Sequence, residues 1–446
     1  SEQKSFYKHH RTNKARLVNQ PELKDIAPQI PVLPDSIYLD NGTEMTIIPM
    51  AATEIVTICL MFKGGQWMQK RKLQSDYAMY QIKSGTSRFT SEFLADKLDN
   101  YGATMSAGNG MTHSFVQLTS LKRTLPQVLP YFCDILTTPV YEQSLLNNAI
   151  EEGVLTFQMQ EQQVAQVSKR MFYQQLLGTN HPAAAYATEE DYQSLTREDL
   201  LSYHSQFINM SNATVFLTGM IDAKLIALIN EHLGKIPTIT QSGLEYKEAE
   251  IVTSAEQFHE KEIGVPSVQS GLRIGKVMPD CNSADYPAIM LTSTILGGYF
   301  GSRLMKNIRE ELGLTYGIHS TFFPIPGNNI FFITTETTRE YVPQCIEEIK
   351  REILDLQSNP VSGEELKNAR NYNLGQFCRA TEITMSLHHL IMNLRTQQRT
   401  LGSILKEQQT ALALTSEDIM LCARKYFDPE SMLITVAHGK SPCSAV

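Results

Sequence analysis

Apolar positions along this chain alternate between strand-like and helix-like spacing, and the order of the alternation occurs twice. Thr53–Phe62 reads TEIVTICLMF, a β-branched apolar run that ends before Gly64-Gly65 and predicts a strand. Upstream, Asn41-Gly42 is a hairpin signal between short strand candidates. Helical spacing follows around Ser75–Ile82 and Ser91–Tyr101, strands near Thr104–Ser106 and His113–Leu118, and helices at about Leu125–Thr137 and Glu142–Leu177. Thr196 caps another helix, and Ala213–Gly219 reads as a strand. From Ser267 the order begins again. Ser267–Val277 predicts a strand, Ser283–Leu296 and Arg303–Leu312 helices, and Leu314–Phe323 and Asn329–Thr335 strands. Helices at Tyr341–Gln357 and Ser362–Leu394 and a last helix–strand pair close the chain. The letters repeat as well: LTREDL from Leu195 parallels LTSEDI from Leu414, an offset of 219 (414 minus 195). Each copy leads into an amphipathic helix, an aromatic residue and a strand ending at Gly219 or Gly439. Motif and element order together predict a duplicated domain. Strict β-α-β alternation is missing, so the fold class is α+β: two homologous domains, each an antiparallel sheet with helices packed on it. The expected boundaries are an N-terminal arm at 1–35, a first repeat at 36–235, a Gly/Pro-punctuated linker at 236–264 and a second repeat at 265–446.

One stretch stands out within the second repeat. Leu296–Ser320 reads LGGYFGSRLMKNIREELGLTYGIHS. Gly297, Gly298 and Gly301 break the chain, Ser302 is placed as an N-cap, and Leu304, Ile308 and Leu312 form an apolar stripe. Gly313 then stops the helix at a position that favours positive φ. Arg309 lies off the stripe near the helix's end and Tyr316 opens the next strand. This helix–glycine–strand corner brings a guanidinium near a phenol, two donors able to grip a peptide carbonyl. The plain alternative is a helix-end charge and a core tyrosine.

Composition narrows the function. The 446 residues exceed what one core usually organises, and 42% hydrophobic with 19% charged residues describes a globular chain. A net charge of −8 argues against a nucleic-acid surface. No apolar run reaches membrane-span length. The seven cysteines are scattered without C-x-x-C, so neither a disulfide framework nor a cysteine zinc site is indicated, and a reducing compartment is preferred. His388-His389 are adjacent and point in different directions on a helix, and His259-Glu260 begins no H-E-x-x-H. No Gly-x-Ser-x-Gly elbow occurs, and Gly297–Gly301 lacks the Lys-Ser/Thr of a phosphate loop.

Gly297–Tyr316 resembles the second-half signature of the insulinase/pitrilysin family of inverted-motif zinc metallopeptidases, which includes the mitochondrial processing peptidases. There a glycine-rich turn leads into a helix whose Arg, followed seven residues later by Tyr, contacts substrate. Arg309 and Tyr316 have that spacing, and Glu310-Glu311-Leu312-Gly313-Leu314 between them also fits. The resemblance covers roughly Leu39 to Gly439 and implies a clamshell of the two domains. It assigns Gly297, Gly298, Arg309 and Tyr316 to substrate binding.

The same resemblance calls for H-x-x-E-H on a helix in the first half, two zinc ligands around a general base. Counting back from Gly85-Thr86 places it on Asp76-Tyr77-Ala78-Met79-Tyr80. Asp76 and Tyr80 replace the histidines and Met79 the base, while the third ligand falls at Glu151 or Glu152. One carboxylate beside Asp76 makes a poor zinc site. The chain is therefore expected to be catalytically incomplete and to bind no metal or other cofactor itself. As the resemblance implies, it would bind and orient peptide while a homologous partner carries H-x-x-E-H and the zinc. A structural subunit of the same fold is the rival reading, and a homodimer is possible for the isolated chain. The expected compartment is the cytoplasm, or the periplasm if a signal once preceded Ser1.

Overall fold

A computed structural model describes residues 27–30, 32–50, 53–240 and 244–440. Most of the expected arm, residues 1–26 and 31, lies outside the described residues, as does Cys443. The first sheet contains β1 (Asp35–Tyr38), β2 (Glu44–Pro49), β3 (Ile55–Lys63), β4 (Thr104–Asn109), β5 (His113–Leu121) and β6 (Ala213–Gly219). The second contains β7 (Phe258–Pro266), β8 (Gln269–Pro279), β9 (Thr315–Ile325), β10 (Asn328–Thr338) and β11 (Leu433–Lys440). Their orders are β1-β2-β6-β3-β5-β4 and β7-β11-β8-β10-β9. With β1 set aside the two orders coincide strand for strand. Even the single parallel pair recurs, β2 on β6 and β7 on β11, among antiparallel neighbours.

The repeated LT-x-E-D letters fold alike. Thr196 and Thr415 each cap a helix, Arg197–Phe207 and Ser416–Tyr426, through reciprocal bonds with the aspartate three residues on. The threonine hydroxyl accepts from the aspartate's backbone N–H at 3.2 Å in both copies. Both therefore satisfy donors that a helix start would otherwise leave unpaired.

β3 shows no alternation: Val56 through Phe62 are all buried. A strand covered on both faces has no polar side to display. On one face Val56, Ile58 and Leu60 pack with Leu129, Phe132 and Tyr203 from helices of the same half. On the other, Cys59, Met61 and Phe216 meet Leu387 and Ile391 of helix Thr384–Thr396, which belongs to the second half. The second sheet mirrors this exchange. Helix Val164–Leu177, from the first half, lays Phe172 and Tyr173 against Ile330, Phe332 and Leu433. Gly271 on β8 permits the approach, because a Cβ there would stand 2.6 Å from the Val164 carbonyl oxygen. Ser168 donates to the Thr435 carbonyl at 3.1 Å, and Thr218 bonds His388 across the other sheet at 2.8 Å.

Several expectations are corrected. The linker stretch 236–264 carries the start of β7, an edge strand with one buried side chain, Ile263. Its pairing with β11 runs through backbone groups, so its letters show no apolar period. The single helix expected over Glu142–Leu177 is two, Gln143–Gln160 and Val164–Leu177, as the chain crosses from one sheet to the other. Ser362–Leu394 likewise divides into Gly363–Glu382 and Thr384–Thr396. Among the described residues no helix is long and apolar enough to cross a membrane.

Candidate functional site

The glycine-rich corner starts where helix Tyr286–Ser293 widens into a π-helical turn, Thr294–Gly298. Gly297 lies under β9. A Cβ there would sit 2.9 Å from the Ser320 backbone nitrogen and 3.0 Å from Leu304 Cδ1, so any side chain would push strand and helix apart. Gly298 has ordinary clearance, with its nearest neighbours at 3.4 Å. Ser302 is buried and its hydroxyl has no hydrogen-bond partner, so it does not cap the following helix as expected.

That helix, Met305–Glu311, is also π-helical. The Leu312 N–H bonds the Asn307 carbonyl five residues back at 2.9 Å. The wider turn rotates Leu312 off the apolar stripe: Leu304 and Ile308 are buried, whereas Leu312 is exposed. Gly313 adopts φ +62°, and β9 begins two residues later. Arg309 and Tyr316 are brought together, but through the backbone. Arg309 Nε donates to the Tyr316 carbonyl oxygen at 2.9 Å, and its guanidinium lies 4.9 Å from the centre of the exposed Phe300 ring. The Tyr316 phenol projects into solvent at 93% exposure. The core alternative for Tyr316 is thereby removed.

The residues to which the resemblance assigns the metal motif lie on helix Gln74–Tyr80. Asp76 is held by side-chain amides: Gln66 Nε2 donates to both its oxygens at 3.2 and 3.0 Å, and Asn109 Nδ2 donates at 2.9 Å. Asn109 is itself fixed by Ser114, whose hydroxyl donates to its carbonyl oxygen at 2.7 Å and bonds Tyr203. Met79 is buried in the core and Tyr80 is exposed. Glu151 is exposed on helix Gln143–Gln160, which is tied to the motif helix by the Tyr77 hydroxyl donating to the Ala149 carbonyl at 3.1 Å. Burial among neighbouring phenols and carboxylates raises the Tyr77 pKa, which keeps that hydroxyl a donor. Among the described residues no three His, Cys, Asp or Glu gather as metal ligands. Amide N–H groups aimed at a carboxylate repel a cation, so the residues present do not fit zinc.

A cavity of about 570 Å³ lies between the halves. Gln66 and Asp76 line it from the first half, Lys169 and Tyr173 from the exchanged helix, and Arg273 and His319 from the second sheet. Arg309 and Tyr316 are not among its lining residues. Sequence reasoning missed Gln66, Asn109 and Arg273. The signal for Arg273 was present: one arginine inside an apolar strand run, a residue type rarely buried without a purpose.

Residues 194–373 match the family described as Peptidase M16 inactive domain. The uncharacterized zinc protease YmxG of Bacillus subtilis is 20% identical over 372 residues, 81% of this chain and 88% of that protein. The non-peptidase homolog YmxG of Helicobacter pylori is 23% identical over 326 residues, 71% of this chain and 74% of its own. Among solved structures, the peptidase M16 inactive domain from Pseudomonas fluorescens superposes with a TM-score of 0.80 at 20% identity, covering 91% of this chain and 98% of that one. The periplasmic protease PqqL from Escherichia coli gives 0.75 at 15% identity, covering 94% of this chain but 48% of its own.

Proposed function

The chain is a member of the M16 family, the insulinase/pitrilysin peptidases, without the family's metal motif, and from that premise we propose that it is a non-catalytic subunit that binds and orients an extended peptide for a zinc-bearing partner. The carrying observation is the amide-held Asp76. A hydrogen-bond network stands at the motif position, with Met79 buried where a general base would be needed, so no water can be activated there. The name non-peptidase homolog on one relative supports this reading. A protease about twice this chain's length, such as PqqL, supports the pairing of two such units across one chamber. Zinc would then be the partner's, and this chain would supply walls and donors that hold the peptide in place. We keep the cytoplasm as the compartment, with the periplasm as the alternative that the PqqL likeness favours.

One observation favours the scaffold reading instead. Arg309 donates to the carbonyl of Tyr316 rather than outward, so part of its hydrogen-bonding capacity secures its own corner. The deciding experiment pairs the chain with a homologue carrying H-x-x-E-H and measures peptide hydrolysis. Arg309→Ala should leave folding and pairing intact and lower kcat/KM by about ten- to a hundredfold, the value of one charge-assisted bond to substrate. Tyr316→Phe should act in the same direction and less. An unchanged rate would refute the substrate role, and no activity from any pair would favour the scaffold.

A further inference from the structure

The wall of the inter-half cavity formed by the second sheet carries one fixed cation, the guanidinium of Arg273, with no carboxylate paired to it among the described residues. Arg273 on β8 and His319 on β9 both stand opposite Thr334 of β10, so the three occupy one row on one face. All three line the cavity, as does Lys169 from the helix laid over that face. Arg273 is 8% exposed, packed 4.2 Å from the Phe332 ring centre and flanked by the rings of Phe172 and Tyr173. The Tyr173 hydroxyl interacts with its guanidinium, but Nε and Nη1 have no hydrogen-bond partner, and Arg273 forms no ion pair among the described residues. A guanidinium held this way costs stability unless something answers it. Lys169 and His319 both reach solvent, yet partial desolvation lowers the pKa of each, and the neighbouring Arg273 charge lowers it further. The acidic group lining the same cavity, Asp76, already accepts from Gln66 and Asn109.

We propose that this row is a carboxylate subsite: Arg273, Lys169, His319 and the Thr334 hydroxyl receive a carboxylate of the bound peptide. The proposal rests on the peptide-binding reading and names the chemistry the chamber selects. A planar carboxylate matches the guanidinium fork, and the surrounding aromatic rings exclude the water that would weaken the pair. The carboxylate could be the peptide's C-terminus or an acidic side chain, and the test separates the two.

Three fluorescent nonapeptides built from Ala, Ser and Gln serve as probes against the full chain, read by anisotropy. One is amidated and neutral, one amidated with a central Glu, and one neutral with a free C-terminus. At least one carboxylate-bearing peptide should bind about tenfold or more tightly than the neutral one, the usual scale of a charge-assisted contact. The one that gains identifies the source. Arg273→Gln should abolish the preference. Because that side chain is enclosed by the aromatic cluster, Lys169→Gln, at an exposed position, is the second variant and should reduce the preference several-fold. Equal binding of all three peptides would overturn the carboxylate subsite and leave peptide binding standing. A preference that survives both variants would overturn it too, and absence of any binding would sink both readings.

Discussion

Gly102 and Gly313 turn the chain through the same backbone step, at φ +63° and +62°, and each passes a helix on to the edge strand of its sheet, β4 or β9. The side chains around that step have been put to opposite uses. In the first corner Leu98 and Met105 are 8% and 7% exposed and belong to the core. At the matching positions of the second, 211 residues on (313 minus 102), stand Arg309 and the exposed Tyr316. The helices differ accordingly. Ser91–Asn100 is a regular α-helix capped by Thr90, whereas Met305–Glu311 is a π-turn. A duplicated corner can thus keep its glycine step and its strand order while one copy is held by apolar packing and the other by an arginine bonded to a carbonyl. The second arrangement leaves polar groups at the surface, where a ligand can meet them.

The largest expected effect breaks the comparison at its side chains. Leu98→Ala should destabilise the protein by about 2–5 kcal/mol in urea unfolding, the range for a buried leucine. Arg309→Ala should cost less than about 1 kcal/mol, as for a partly exposed charge. Similar losses at both sites would mean the corners are built alike.

Acid should discriminate next. His388, fully buried over the first sheet, has its pKa lowered by burial to about 4, with His389 adding to the shift. Its unfolded form takes a proton near pH 6.5 while the folded form resists. Its contribution is therefore complete above pH 6.5 and is lost as pH falls from there through about 4. The full loss should be on the order of 3 kcal/mol by proton linkage. His388→Gln, which retains a side chain able to bond Thr218, should flatten the slope of stability against pH in that window. An unaltered slope would show that folding does not shift the titration of His388.

The smallest effect tests what the corners share. Neither glycine has a neighbour near its missing Cβ, so Gly102→Ala and Gly313→Ala should each cost only the left-handed backbone penalty, about 1–2 kcal/mol. Calorimetry of both variants should give matching values. A clear inequality would locate the difference in the backbone itself.

The apolar runs made most of this fold legible. β3, β6 and the threonine-capped helices lie where their letters put them, because burial and capping are written locally. β7 was illegible, since its pairing uses backbone groups that every residue carries. The π-turn at Met305–Glu311 was hidden because the spacing of Leu304, Ile308 and Leu312 is that of an ordinary α-helix, and only the folded chain shows Leu312 turned out to solvent. At the site, motif spacing found the Arg309–Tyr316 meeting but could not tell a phenol from a carbonyl as the arginine's partner. The row around Arg273 needed tertiary structure, because Arg273, His319 and Lys169 are far apart in sequence and line one cavity only when the helix crosses over.

That crossing has a consequence for how such a chain can be divided. A cut between the halves would leave two pieces still clasped, since each retains a helix seated on the other's sheet. Either piece made alone would bare an apolar sheet face, Met61 and Phe216 in one case and Phe332 and Leu433 in the other. Two copies of a lone half could cover those faces by trading helices between molecules or by stacking sheet on sheet. Carrying both halves on one chain keeps that exchange within a single molecule.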